Sequence, residues 1–220
     1  PCQNLYPGVR FFDEGCQEQA GYTSSDASAK ITWHNPNGIP TPPDVQVTDV
    51  LVNATYVINM PIMKRHGGAG VTLSFKNHFG SIANCYPLHE WVYPAGQNYG
   101  GTAYSPLVDI YRNTNIRDKT VLIIGDGLYG NWEKNDTKPQ PWVTFSNNAP
   151  NSLLFATDPV AIDCVMCDLL EAEADARGRA FWEESDDYLV YAASVGLGVY
   201  ERGDPWGSGY TQIAYSRIEL

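Results

Sequence analysis

The sequence predicts an α/β domain: a layered sheet, mostly parallel, with helices on both faces. Short apolar segments of strand length alternate along the chain with longer segments whose apolar residues recur at the helical period. The segments at residues 55–60 and 119–130 are apolar at successive positions, which is typical of strands buried on both faces. Such strands belong to parallel sheets that helices cover on either side.

Helix boundaries indicate the same fold class. Ser105 and Pro106 predict the start of a helix over residues 104–113, and Asp158 and Pro159 predict the start of another. In both places a side-chain oxygen can cap the first amides, and proline fits the first helical turn.

The segment that begins at Val71 fits two structures. Val71, Phe75, Phe79 and Ile82 recur at the helical spacing. The alternation of Val71, Leu73 and Phe75 also fits a short strand. The helix is favoured, and the first amides of such a helix would attract an anion.

Length and charge bound the domains and the partners. The 220 residues (24.3 kDa) divide into an irregular segment, residues 1–44, that resembles the start of a processed chain, and an α/β domain, residues 45–220. The net charge of −11 argues against a nucleic-acid partner, because phosphate contacts need clustered lysine and arginine. No apolar run approaches the roughly 20 residues that span a bilayer, so no transmembrane segment is predicted.

The compartment is predicted from composition. Few lysines, many tyrosines, asparagines and glycines, and glycosylation-type sequons at Asn53 and Asn135 favour an extracytoplasmic protein, either periplasmic or secreted.

The five cysteines divide into two pairs and Cys85. Cys2 and Cys16 are candidates to close a small loop. Cys164 and Cys167 lie three residues apart in a predicted helix, where buried structural cysteines are the favoured interpretation.

A basic, glycine-rich stretch carries the first candidate site. Lys64 and His66 follow a predicted buried strand, and ligands of α/β sheets bind beyond the carboxyl ends of the strands. Backbone amides at Gly67, Gly68 and Gly70 can approach a ligand closely. Lys64 and these amides predict a cradle for a carboxylate or phosphate, and His66 predicts a general base. A tight turn with solvated basic side chains is the alternative.

Two carboxylates are predicted to complete this site. Asp126 follows a predicted strand, and Asp163 lies on an apolar helix where a buried carboxylate needs a partner. Lys64, Lys76 or a metal ion would serve as that partner. For Asp126, capping of a turn is the alternative.

The histidines raise the prospect of a divalent metal, because imidazole and carboxylate suit zinc or iron. The candidate ligands are His66, His78, His89 and Asp126, although their spacing matches no compact metal motif. On a helix Lys76 and His78 would point about 200° apart, so only one of the two would join the site of Lys64. A buried, hydrogen-bonded core position is the alternative for His78.

Short motifs occur in a fixed order along the chain. An apolar strand ends in Asn-x-Pro and is followed by Lys-x-His, Gly-x-Thr and Lys-Asn-x-x-Gly. Their residues are Asn59, Pro61, Lys64, His66, Gly70, Thr72, Lys76, Asn77 and Gly80. The segments "IIGDGLYG", "LLFATDPVAIDCVM" and "AASVGLG" come later. Together these motifs resemble the domain-of-unknown-function 362 family.

The resemblance implies which polar residues matter, but it implies no particular reaction. Members of that family are often joined to ferredoxin modules or described as iron–sulfur proteins. This chain lacks a ferredoxin-type run of cysteines, so cluster binding is not carried over. The polar positions that the resemblance does carry over are Lys64, His66, Lys76, Asn77, Asp126 and Asp163.

Three functions remain open. The first is a polar ligand or metal site for an anionic small molecule, in a redox-linked enzyme. The second is a non-catalytic structural or assembly subunit that contacts other subunits, and the third is an electron-transfer partner. The candidate residues are His66, Lys64 and Lys76 for catalysis; Asn77, Gly67, Gly68, Gly70 and Asp163 for ligand binding; and Asp126, His78 and His89 for metal.

Overall fold

The computed structural model describes residues 5–12, 18–22, 25–133, 138–181 and 183–219. Its strands are β1 (Val57–Asn59), β2 (Ile62–His66), β3 (Gly70–Thr72), β4 (Thr120–Asn131) and β5 (Ser152–Ala156). The helices of this part of the chain are α1 (Asp49–Asn53), α2 (Ser74–Asn77), α3 (His89–Val92), α4 (Pro106–Arg112), α5 (Thr114–Arg117), α6 (Pro159–Ala176) and α7 (Asp187–Ser194). The predicted Cys2–Cys16 loop and the sequon at Asn135 lie outside the described residues.

The long strand β4 is the centre of the sheet. β1 and β2 both run parallel to β4, and β5 pairs with it antiparallel. Because β5 occupies one edge of β4, β1 and β2 lie end to end along the other edge. Pro61 interrupts them, since proline has no amide hydrogen to donate, while its carbonyl accepts from the Asp126 N–H at 2.8 Å.

The sheet is mixed, with parallel pairing at its centre. β3 turns back antiparallel to β2 through the glycine-rich turn. Strands and helices therefore form a layered α/β domain, and the predicted fold class is confirmed.

Helix α6 covers one face of the sheet. It is buried along most of its length and packs against β2, β4 and β5. Asp158 caps it as predicted, accepting hydrogen bonds from the amides of Val160 and Ala161 at 2.8 and 2.9 Å. Cys164 and Cys167 are buried free thiols, which confirms their structural interpretation.

The second face of the sheet is open in the described part of the chain. Side chains alternate along the strands, and Ile58 and Phe155 are 54% and 62% exposed on this face. Helices were expected on both faces, but here they cover only one. An apolar strand predicts that both faces of the sheet are buried. It does not show whether the covering residues belong to the same chain or to another one.

The segment from Val71 changes conformation partway along. Val71 lies in β3, and α2 begins at Ser74. The favoured helix is therefore wrong in its first turn, where the strand alternative holds. Val71, Phe75, Phe79 and Ile82 are all buried, so the apolar stripe is correct although two backbone conformations produce it.

The amino-terminal segment lacks strands and α-helices between residues 25 and 44, apart from a single-residue bridge at Lys30. Within residues 25–44 the longest regular element is the 3₁₀ turn Ala27–Ala29. Ile31 and Val45 nevertheless join one hydrophobic core. The boundary at residue 44 stays a prediction.

Candidate functional site

The carboxyl end of β2 carries Lys64 and His66 on the open face of the sheet. Residues two apart in a strand point the same way, and both side chains are half-buried. Thr72 lies opposite Lys64 on β3, and Gly70 lies opposite His66. The Thr72 hydroxyl is buried with no hydrogen-bond partner in the described chain.

The glycine turn fixes the tautomer of His66. The amides of Gly68 and Ala69 both donate to His66 Nδ1 at 3.1 Å, so the proton of the neutral ring lies on Nε2. Burial lowers the pKa of His66 to about 4, and the neighbouring Lys76, Lys64 and His89 act in the same direction. At neutral pH His66 therefore presents an N–H donor, and the predicted general base is not supported by this geometry.

The glycines serve packing as well as the turn. A Cβ at Gly68 would lie 2.3 Å from the Tyr93 ring, so only glycine lets this ring lie against the turn. Gly70 has a φ of +77°, a conformation that favours glycine. The amides of Gly68 and Ala69 are used by His66 rather than left free for an anion. Gly67 borders a surface depression.

Lys76 reaches the same region from α2. Its half-buried ammonium lies 5.0 Å from the centre of the Phe79 ring. Burial lowers the pKa of Lys76 to about 8; the nearby Cys85 opposes this shift and Lys64 adds to it. Among the described residues, no carboxylate forms a salt bridge with Lys64 or Lys76. We call Lys64, His66 and Lys76 the basic group.

Aromatic rings surround the basic group. The Tyr93 ring lies 5.7 Å from the His66 ring and 4.6 Å from the His89 ring. The Phe79 ring, which Lys76 overlies, is 5.3 Å from the ring of His89. These rings keep water from one side of the basic group, which is consistent with the lowered pKa values of His66 and Lys76.

Asp163 does not face the basic group. It is fully buried and accepts hydrogen bonds from the amides of Ser74 and Phe75 at 2.8 and 3.4 Å and from the Tyr188 hydroxyl at 3.0 Å. The residue before α2 provides no side-chain cap, so Asp163 caps this helix from a distance. The helix start does bind an anion, as predicted, but that anion is the chain's own carboxylate. Burial raises the pKa of Asp163 to about 7.

Asp126 has the alternative, local role. It lies on β4 opposite Ile62, and its carboxylate accepts from the Leu128 amide at 3.0 Å. No salt bridge joins it to a described lysine. The predicted pairing of Asp126 and Asp163 with the lysines is therefore absent from the described residues.

Asn77 positions backbone segments. Its side-chain amide donates to Asn59 Oδ1 at 2.7 Å, and Asn59 Nδ2 donates to the Ser74 carbonyl at 3.0 Å. This pair fastens α2 to the end of β1, so Asn77 supports the helix that carries Lys76.

The candidate metal ligands do not come together. His78 is buried, with Nδ1 3.3 Å from Ser81 Oγ and its ring against Tyr111. This core position of His78 is the alternative that the sequence left open. Burial lowers the pKa of His78 to about 4. His89 Nδ1 donates to the Tyr86 carbonyl at 2.6 Å. In the described residues no three His, Cys, Asp or Glu side chains are placed to hold a metal ion.

Sequence reasoning missed several neighbours of the basic group. Thr72 was only a motif residue, and reading residues 70–72 as a strand would have placed it opposite Lys64. The fold brings Tyr93 and Cys85 close to the basic group, and no sequence pattern predicts this proximity.

Two shallow depressions lie beside the basic group and share Tyr93 and Ala95. The larger, of about 340 Å³, is also bordered by His89 and Tyr86. Lys64 and Lys76 border neither depression, so they meet the solvent elsewhere on the surface.

The fold and this site define an α/β protein with a basic, aromatic-walled group at the end of a sheet strand. Residues 13–168, more than two thirds of the chain, match the family described as "Domain of unknown function (DUF362)", and the chain belongs to that family. The match begins within the irregular amino-terminal segment and ends within α6. No curated protein and no solved structure was found to match the chain. None of the described helices is long and apolar enough to cross a membrane.

Proposed function

We propose that this protein binds a small anionic molecule, a carboxylate or a phosphate, at the basic group. The observation that carries the proposal is Lys76, a half-buried ammonium beside Lys64 without a carboxylate partner among the described residues. A buried charge is unfavourable unless it is paired. An anionic ligand would pair it.

The other polar atoms near the lysines fit the same ligand. Neutral His66 presents an Nε2–H donor. The Thr72 hydroxyl, which has no hydrogen-bond partner among the described residues, lies opposite Lys64. Anionic oxygens accept hydrogen bonds from ammonium, imidazole and hydroxyl donors. The site therefore offers donors of three kinds, and no described carboxylate forms a salt bridge with its lysines.

If the ligand is a substrate, Lys76 is the group that exchanges a proton. Its pKa of about 8 lies near neutrality, where acid–base groups act best, whereas that of His66 lies well below. Lys76 thus replaces His66 as the candidate base. The redox link and the extracytoplasmic location stay predictions from the sequence.

Calorimetric titration with inorganic phosphate and, separately, with acetate tests the binding. We expect one of these probes to bind, and Lys76→Met and Lys64→Met each to weaken binding at least tenfold. Lys30→Met, which removes an exposed lysine remote in sequence from the basic group, is the matched control. Failure of both probes to bind, or equal affinity in all three variants, would refute the proposal.

An assembly role is the second candidate function, and the open face of the sheet favours it. A non-catalytic subunit needs an apolar surface for its neighbours, and this face offers one independently of the basic group.

A further inference from the structure

The open face of the sheet is a contiguous apolar surface. In the described chain its exposed side chains, between 41% and 62% accessible, are Ile58, Met60, Ile62, Leu128, Leu153 and Phe155. The strand registers place them on one face, since Ile62 and Leu153 lie on either side of Asp126 and Phe155 lies opposite Ile124. Residues at alternate positions along each strand share that face.

This arrangement differs from ordinary surface exposure. Single apolar residues scattered over a surface need no explanation, whereas a contiguous patch marks an interaction site. At about half exposure and roughly 200 Å² for each fully exposed side chain, the six leave on the order of 600 Å² uncovered. Specific interfaces start near 600 Å² per partner, so this face alone reaches the lower limit for a stable complex.

We infer that the open face binds the same face of a second copy of this chain. Isologous contacts need a self-complementary surface, and two apolar sheet faces can pack about 10 Å apart, as in sandwich folds. The six side chains carry no charge, although the whole chain has a net charge of −11. Asp126 lies within the patch, between Ile62 and Leu153, so the contact also covers its carboxylate, which accepts from the amide of Leu128.

Light scattering after gel filtration, over a range of protein concentrations, tests this inference. We expect a dimer that forms at micromolar concentration and grows stronger as sodium chloride is raised. Salt screens the repulsion between two acidic chains and does not weaken an apolar contact. An interface held by ion pairs would show the opposite salt dependence.

Two variants locate the contact. Ile58→Asp and Phe155→Asp place a charge on β1 and β5, and each should weaken the dimer at least tenfold. Because both side chains are exposed in the single chain, circular dichroism should show a folded protein. Ile218→Asp, at an exposed position outside the sheet, is the matched control.

A monomer at every concentration, an open-ended aggregate, or a dimer that both variants leave intact would overturn the inference. A monomer would assign the face to a different partner. The anion-binding proposal is tested by separate variants and does not depend on this result.

Discussion

At the scale of single residues, Lys76 carries most of the argument. Its ammonium is half-buried beside Lys64, and this environment lowers the pKa of Lys76 from 10.5 to about 8. Such a charge destabilises the folded protein, and binding sites commonly retain unfavourable groups of this kind for function. The same reasoning explains why His66 is neutral and acts as a donor.

Replacing Lys76 by methionine should therefore stabilise the protein without ligand. We expect Lys76→Met to raise the free energy of unfolding at pH 7 by up to about 3 kcal/mol, the equivalent of the lowered pKa. Urea unfolding measures the change, with Lys30→Met as the control. A destabilised Lys76→Met protein would show that the ammonium is paired.

The same pKa predicts how stability depends on pH. Below pH 8 the folded and unfolded states both hold the Lys76 proton, and the folded state bears the full cost of the charge. Between pH 8 and 10.5 the unfolded state binds more protons, so the stability of the native protein rises with pH. The advantage of Lys76→Met should shrink across this window in unfolding curves, and a constant advantage would contradict the account.

At the scale of elements, Asp163 joins α6 to the start of α2. Its carboxylate accepts from two amides of α2 and from Tyr188, and no local residue provides a side-chain cap for that helix. Sequence reasoning correctly required a partner for a carboxylate on an apolar helix. It proposed a lysine or a metal ion rather than backbone amides, because the contact between α2 and α6 depends on long-range packing.

Asp163→Ala should cost about 2–4 kcal/mol of stability, since it leaves buried amides unpaired. Asp163→Asn should recover part of this loss, because its carbonyl oxygen can still accept from Ser74. Thermal unfolding measures both, and Asp175→Ala on the exposed side of the same helix is the control. Equal behaviour of the alanine variants at 163 and 175 would exclude the capping role.

The glycine turn makes a second prediction for an element. Gly68→Ala would push a Cβ into the Tyr93 ring and should cost about 1–3 kcal/mol. Adding Tyr93→Ala should make the Gly68→Ala step much less costly, because the clash is then gone. Gly80→Ala, where nothing lies within 4 Å of the added atom, should be nearly neutral. Additive effects of the two changes would argue against this contact.

At the scale of the whole molecule, the strand and helix patterns were enough to predict the α/β class and the cap of α6. The open face could not be predicted, because an apolar strand has the same sequence whether its cover belongs to its own chain or to another. Sequence reasoning placed Lys64 and Lys76 in one site, and the structure brings them together. It could not predict the tautomer of His66, which depends on how the glycine turn folds. Asp126 likewise accepts from a local amide, that of Leu128 on the same strand, instead of pairing with a lysine.

The central claim is that Lys76 holds the anion and that its lowered pKa reflects burial without a carboxylate partner among the described residues. Calorimetric titration of the phosphate or acetate probe near pH 8, in buffers of different ionisation enthalpy, tests it most directly. The account predicts uptake of about half a proton on binding, because pairing raises the pKa of Lys76 above its value in the free protein. Lys76→Met should lose the part of this uptake that belongs to residue 76. Binding without proton uptake, or with the same uptake in Lys76→Met, would contradict the claim.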